Sequence, residues 1–170
     1  MVAKSITVRG AAVGDSADIL RVLDLMDAED GGSRSSLIGE EHLRSFVFCP
    51  TPRAEALVAE RDGKIVGLAA IHESAGTLWC NPEIYVDDLF VVAESRRLGV
   101  GRRLVEAVSA LAVERSTTRL LLNVQSTNTA AIQFYEALGG TIFPDSRLCA
   151  FSGAVLYELA SEFAVNLERS

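Results

Sequence analysis

Cysteine is scarce in this chain of 170 residues, and the three that occur, Cys49, Cys80 and Cys149, lie far apart. They form no CxxC pair and no cluster with histidine, so neither a disulfide framework nor a zinc site is indicated. We therefore expect the three thiols to be reduced and buried, and we expect no bound metal.

Long apolar runs and an excess of basic residues are also lacking. No stretch approaches the ~20 apolar residues that span a bilayer, and the first residues contain no continuous apolar segment typical of a secretory signal. The 16 Lys and Arg residues are outnumbered by 23 Asp and Glu residues, which gives a net charge of −7. Because binding to nucleic acid requires a basic face, the charge favours a small cationic partner over nucleic acid or a membrane. We expect a cytoplasmic protein.

The chain does contain enough apolar material for a core. Hydrophobic residues make up 49% of the sequence, and a chain of this length can bury roughly 70% of the surface that its unfolded form exposes. No repeat or linker divides the sequence, so a single domain over residues 1–170 is predicted.

Hydrophobic periodicity predicts an α+β fold. The predicted strands are 4–9, 55–61, 64–71, 84–92, 119–124, a short one at 141–143 and one near 148–159. The predicted helices lie within 11–29, around 39–47, from Gly101 onward and over 127–138. Together they indicate a mixed, mostly antiparallel sheet of seven strands with helices on both faces.

Two pairs of residues give local geometry directly. Asp62-Gly63 favours a type I′ turn, because both positions tolerate a positive φ, and it joins the second and third strands as a hairpin. Gly139-Gly140 is a typical left-handed helix terminator. At the start of the first helix, Asp15 or Ser16 is expected to be the cap.

Basic residues are concentrated at Arg96, Arg97, Arg102 and Arg103, where a helix begins. The helix dipole disfavours cations there, so an anionic ligand is indicated. Two glycines in the same segment would let backbone N–H groups approach a phosphate. A solvated basic turn is the alternative. The segment matches no Walker loop, and Leu104 stands where a dinucleotide fingerprint needs a third glycine.

With these residues the chain resembles the GNAT superfamily of N-acetyltransferases. The resemblance rests on Arg96-x-x-Gly99-x-Gly101 after a strand that ends in Leu89-Phe90-Val91, and on Asn128 and Tyr135 in the next helix. It covers nearly the whole chain and is greatest for the diamine and related small-amine acetyltransferases. It implies a GNAT-like fold, acetyl-CoA as cosubstrate and a homodimer. Arg96 and Arg97 compete for the leading arginine position, which is a departure from the usual pattern.

The resemblance also implies a coenzyme A site made of one strand end, one loop and one helix. Its expected residues are Leu89, Phe90, Val91, Arg96, Arg97, Leu98, Gly99, Val100, Gly101, Arg102, Asn128 and Tyr135. Tyr135 would donate a proton to the departing thiolate. Without the resemblance, a core aromatic would be the first interpretation of Tyr135 and a helix cap that of Asn128. The N–H groups of the strand that carries Leu89 to Val91 would meet the oxyanion.

Asp87 and Asp88 interrupt an otherwise apolar strand and are the candidates for amine binding and for the catalytic base. A carboxylate attracts an ammonium and accepts its proton, and alternation along a strand predicts that one of the two faces a cleft. We expect Asp87 to contact the amine, with Asp88 as the second choice. A β-bulge, an exposed edge or a hydrogen bond to a backbone turn would also explain the pair.

The predicted function is transfer of an acetyl group to a primary amine of a small molecule, by direct attack in a ternary complex. A peptide or protein N-acetyltransferase and a non-catalytic acyl-CoA-binding module remain as alternatives. Segments 30–53 and 73–83 are expected to shape the acceptor pocket. His42 and His72, the only histidines, are placed outside the site.

Overall fold

The computed structural model describes residues 5–32, 39–76, 82–145 and 154–155. They fall into two units, one up to Thr127 and one from Asn128 onward, each of which is described by itself. The prediction of a single domain stays a prediction.

The first unit contains a five-stranded sheet in the order β1-β2-β3-β4-β5. The strands are β1 (Thr7–Gly10), β2 (Glu55–Arg61), β3 (Lys64–Ser74), β4 (Glu83–Val91) and β5 (Arg119–Leu122). The first four pair antiparallel, and β5 pairs parallel to β4. The mixed, mostly antiparallel sheet is therefore confirmed.

The helices of this unit are α1 (Ser16–Glu29), α2 (Glu40–Val47) and α3 (Val100–Glu114). On one face of the sheet, Ile19 and Leu43 of α1 and α2 pack with Val58 and Leu68 of the strands. On the other face, a stripe of α3 packs against side chains of β2 and β3 that include Ala59 and Ile71. The expected covering of both faces is confirmed.

The prediction of seven strands is wrong for the described residues, which form five. Residues 141–143 are irregular, and Phe143 is 60% exposed. A segment this short between Gly140 and Pro144 has few ladder hydrogen bonds to gain, because proline has no N–H to contribute. The strand expected near 148–159 lies almost entirely outside the described residues.

The Asp62-Gly63 hairpin is confirmed in detail. Arg61 pairs with Lys64, and the two turn residues have φ values of 55° and 72°. The pair therefore supplies the positive dihedrals that a type I′ turn requires. The turn sets the register only up to Glu60, which pairs with Ile65, because a β-bulge follows and Ala59 pairs with Gly67. The turn and the bulge together therefore decide which side chains of these strands face α3.

The second unit is described mainly through α4 (Thr129–Ala137). The N–H of Gly140 donates to the carbonyl of Tyr135, and Gly139 has a φ of 91°. The helix therefore ends at the predicted left-handed glycine.

Two further expectations concern membrane and thiols. Among the described residues, every helix is too short or too polar to cross a bilayer. Cys49 is a free thiol, but it is half-buried rather than buried. It follows α2, at a point where Pro50 and Pro52 prevent the helix from continuing. The other two cysteines lie outside the described residues.

Candidate active site

Strand β4 contains a β-bulge at Asp87. Ala70 of β3 is opposite Asp88 and Ile71 is opposite Val86, so Asp87 is the extra residue. A bulge interrupts the regular alternation of side chains. Asp87 contacts His72, and Asp88 pairs with Ala70, two residues before His72 on β3. Both aspartates are thus placed toward the sheet face of α1 and α2, rather than on opposite faces as strand alternation predicted.

Asp87 and His72 form a close pair on this face. Nδ1 of His72 lies 2.7 Å from Oδ2 of Asp87, and the two side chains are 39% and 40% exposed. The ring of Tyr85, which is opposite His72 in the strand register, lies 5.3 Å from the imidazole. Burial, and then the negative charge of Asp87, raise the pKa of Tyr85. The sequence predicted the carboxylate but not its histidine partner.

Beyond the bulge, one edge of β4 has no strand beside it in the part of the chain that the structure describes. The pairing of β5 ends where Leu122 meets Val86. The N–H of Val92 donates to the carbonyl of Val66, which precedes β3's Gly67. Because backbone groups alternate in direction along a strand, those of Leu89 and Val91 face away from β3. These N–H groups are available to an acyl oxygen, as the sequence-based hypothesis requires.

Helix α3 begins with an open N-terminus. Gly99 has a φ of 87°, and a Cβ at this position would meet nothing within 4 Å. The N–H of Arg103 makes the first helical bond, to the carbonyl of Gly99, and no side chain of the described residues caps the helix. The N–H groups of Val100, Gly101 and Arg102 therefore have no carbonyl within the helix to bind. An anion placed here gains those donors and the positive end of the dipole.

The arginines at this loop are not all available to a ligand. Arg96 binds Glu29 of α1 through two hydrogen bonds of 2.7 Å and 2.6 Å, and donates to the carbonyl of Val91. Its backbone N–H donates to Ala93. Arg96 thus joins the loop to α1 and β4, and the next residue, Arg97, has a positive φ of 59°.

Arg103 forms an ion pair with Glu106. Among the described residues, Arg97 and Arg102 make no ion pair or hydrogen bond through their side chains, so they are the cations left for a phosphate.

The second unit contains the remaining two predicted site residues. The Oδ1 atom of Asn128 accepts a hydrogen bond of 3.0 Å from the N–H of Ala131, so Asn128 caps α4. This is the structural role that the residue type alone suggests. Tyr135 is half-buried, and burial raises the pKa of its phenol. The phenol stays protonated over a wider alkaline range, as a proton donor must.

A cavity of about 480 Å³ opens at the ends of β2 and β3. His72 lines it together with charged side chains of both signs: Arg53, Glu55, Glu73 and Arg115. Arg115 pairs with Glu55 at 2.6 Å and with Glu73 at 2.9 Å. The hydrogen bond from Arg115 lowers the pKa of Glu55, so this carboxylate is charged at neutral pH. Segments 30–53 and 73–83, which were expected to shape a pocket, each contribute lining residues.

Metal ligands are not grouped in this region. Within the ranges that the structure describes, no three side chains of His, Cys, Asp or Glu are close enough together to hold a metal ion.

Known proteins resemble this chain over most of its length. The profile of the Acetyltransferase (GNAT) family matches residues 22–140. The thialysine N-epsilon-acetyltransferase of Bos taurus is 29% identical over 168 residues, which are 92% of this chain and 98% of that protein. The L-ornithine N5-acetyltransferase of Arabidopsis thaliana is 38% identical over 72 residues, 42% of this chain and 32% of that protein.

Solved structures share the fold. An integron cassette protein from the mobile metagenome of V. cholerae superposes with a TM-score of 0.78 and 22% identity, covering 92% of this chain and 98% of the other. At this identity the likeness concerns the fold alone.

Proposed function

Because this chain belongs to the GNAT family of acetyltransferases, we propose that it transfers the acetyl group of acetyl-CoA to a primary amine of a small aliphatic molecule. The observation that carries the proposal is the open N-terminus of α3, in the first unit that also contains the His72 and Asp87 pair. The N-terminus of α3 binds a diphosphate, and the carboxylate beside His72 attracts an ammonium.

The diphosphate end of the proposal rests on the loop from Arg97 to Arg102. The N–H groups of the first turn of α3 and the open space at Gly99 fit an oxygen-rich anion. Arg97 and Arg102 add positive charge that no described side chain neutralises. Arg96 acts differently, because its side chain and its N–H are used within the protein. It holds the loop in place.

The choice of an amine as the acceptor is supported by the charges of the substrate and the protein. An alkylamine has a pKa near ~10.4, so at neutral pH fewer than about one molecule in a thousand is unprotonated. The substrate therefore arrives as a cation, and Asp87 and Asp88 attract it. Relatives that act on thialysine and ornithine, by their names, favour a flexible chain that ends in a primary amine. The net charge of −7 favours the same class.

Direct attack completes the proposed reaction. The amine nitrogen attacks the thioester carbon, the N–H groups of Leu89 and Val91 meet the developing oxyanion, and Tyr135 protonates the thiolate. A thiolate has a parent pKa near ~8.5, so a weak acid is sufficient to assist its departure.

A thiol-release assay with acetyl-CoA tests the proposal. The panel contains ornithine, lysine, putrescine and spermidine, with peptides that carry free N-termini as the competing class. Release with the small amines, and initial rates that intersect when both substrates are varied, support transfer in a ternary complex. Parallel lines would indicate an acyl-enzyme. Release with peptides alone would indicate a peptide acetyltransferase, and tight coenzyme binding without release would indicate a binding module.

Dimerisation and a cytoplasmic location belong to the same proposal. Sedimentation equilibrium measures the first, and a dimer mass is expected.

A further inference from the structure

We propose that His72 is the base that takes the proton from the substrate ammonium, and that Asp87 positions its ring. The inference rests on the proposed function and assigns the base within it. It moves proton transfer from the carboxylates, which the sequence suggested, to an imidazole that the sequence analysis placed outside the site.

The carboxylate of Asp87 already has a hydrogen-bond partner within the protein. Its Oδ2 atom lies 2.7 Å from Nδ1 of His72. When Nδ1 carries the proton and donates a hydrogen bond to the carboxylate, Nε2 carries the lone pair that can accept a proton. This is the arrangement by which a carboxylate orients a histidine base in catalytic triads. Asp87 thus holds the tautomer and stabilises the imidazolium that forms.

The imidazole ring of His72 is also accessible to a substrate. His72 is 39% exposed and lines the cavity of about 480 Å³, so a small amine can reach its ring. Tyr85 lies against the imidazole, with the two ring planes tilted by 34°. The ring is therefore held between a carboxylate and an aromatic side chain and still faces solvent.

The position of Asp87 along β4 supports the same assignment. Asp87 is the bulge residue, and the strand edge with outward N–H groups at Leu89 and Val91 begins directly after it. The bulge therefore places Asp87, which holds the base, two residues before the first of the groups proposed to bind the oxyanion. Charged groups near the ring are Asp87 on β4, Glu73 on β3, and Arg53, Glu55 and Arg115 in the lining of the cavity.

The ammonium gives one proton to Nε2 of His72, and its nitrogen lone pair then forms the C–N bond while the carbonyl electron pair moves to oxygen. Return of that pair breaks the C–S bond. The thiolate takes the phenol proton of Tyr135, the phenolate regains a proton from the new amide nitrogen, and the imidazolium releases its proton to water.

The test compares four purified variants with the wild type in the thiol-release assay. His72→Gln keeps a donor for Asp87 but removes the base, and we expect kcat/KM to fall by about 10²- to 10⁴-fold. The dissociation constant of CoA, from calorimetry, should stay within about twofold. His42→Gln, at the exposed histidine of α2, is the matched control and should keep wild-type activity.

The third variant, His72→Ala, separates proton transfer from structural support. Free imidazole added to it should restore activity in a saturable manner, which a loss of structure would not allow. Asp87→Asn made in the His72→Ala background should cause little further loss of kcat before rescue, because Asp87 acts on proton transfer only through the ring. A rise in KM in the same variant would report the attraction of Asp87 for the ammonium.

The outcomes distinguish the two proposals. If the wild type releases thiol but His72→Gln retains more than half of its kcat/KM, or if imidazole rescues nothing in folded His72→Ala, the assignment of the base is overturned and the acetyltransferase proposal stands. If the wild type releases no thiol with any amine, both fall together.

Discussion

Replacement of Gly99 by alanine tests whether the N-terminus of α3 binds the coenzyme. Gly99 has a φ of 87°, and an added Cβ would meet nothing within 4 Å. The change therefore causes no clash within the protein. Its cost to folding comes from the backbone alone, because a left-handed conformation costs an L-residue ~1–2 kcal/mol.

Part of this cost is returned in the unfolded chain. Alanine has less backbone freedom than glycine there, which is worth ~0.4–1 kcal/mol. We therefore expect a net loss of about 1 kcal/mol in the free energy of unfolding and a fall in Tm of about 2–4 °C. Loss of stability on this scale leaves the protein folded at room temperature.

The effect on the coenzyme should be larger. The new methyl group stands in the open space that a diphosphate must enter to reach the N–H groups of Val100 and Gly101. Loss of one hydrogen bond to a charged group costs ~1.5–3 kcal/mol. The dissociation constant of CoA should therefore rise by about 10- to 100-fold.

Calorimetric titration with CoA and thermal unfolding measure the two quantities on the same samples. The control is Gly14→Ala, because Gly14 also has open space around its Cβ but lacks a positive φ. It should keep wild-type affinity and gain up to ~1 kcal/mol of stability. Wild-type affinity for CoA in Gly99→Ala would refute the assignment of the phosphate site.

Three other changes are predicted. Tyr135→Phe should lower kcat by about 10²-fold with little change in CoA affinity, and an unchanged kcat would remove its role as acid. Gly67→Ala places a Cβ 3.0 Å from Cγ1 of Val100, and such overpacking should cost about 1–3 kcal/mol in urea unfolding; equal midpoints would contradict it. In the wild type, the hydrogen bond from Arg9 lowers the pKa of Asp15 to about 2, and Asp15→Asn removes this ion pair. The advantage of the wild type, ~1 kcal/mol for a partly exposed pair, should be present at neutral pH and disappear as the pH falls toward about 2. A constant difference across that range would be inconsistent with this pair.

The confirmed expectations depend on residues that are near one another in the chain. Asp62-Gly63 turns β2 into β3 because its dihedrals are a property of two residues. The apolar stripe of α3 follows from helical periodicity, and Gly139 ends α4 because it adopts a left-handed conformation without a Cβ penalty. In each case the information lies within one or two helical turns.

The contents of the active site were predicted less completely. Asp87 and Asp88 stood out because two carboxylates interrupt an apolar strand, but strand alternation gave the wrong faces. A bulge exists only in relation to the partner strand, so its position cannot be read from β4 alone. His72 was missed for the same reason, since β3 ends at Ser74 and β4 begins only at Glu83, so no two-residue turn sets their register. The arginine cluster was found, but not the use of Arg96 by Glu29, 67 residues away.

The turns, the helix stripes and the glycine at the start of α3 could be predicted from the sequence, because they depend on the dihedral preferences and spacing of neighbouring residues. The bulge, the approach of His72 to Asp87 and, among the described residues, the unpaired edge of β4 became visible only in the folded chain. These depend on how distant strands pair, and the register of strands joined by a long connection is set by packing across the whole sheet.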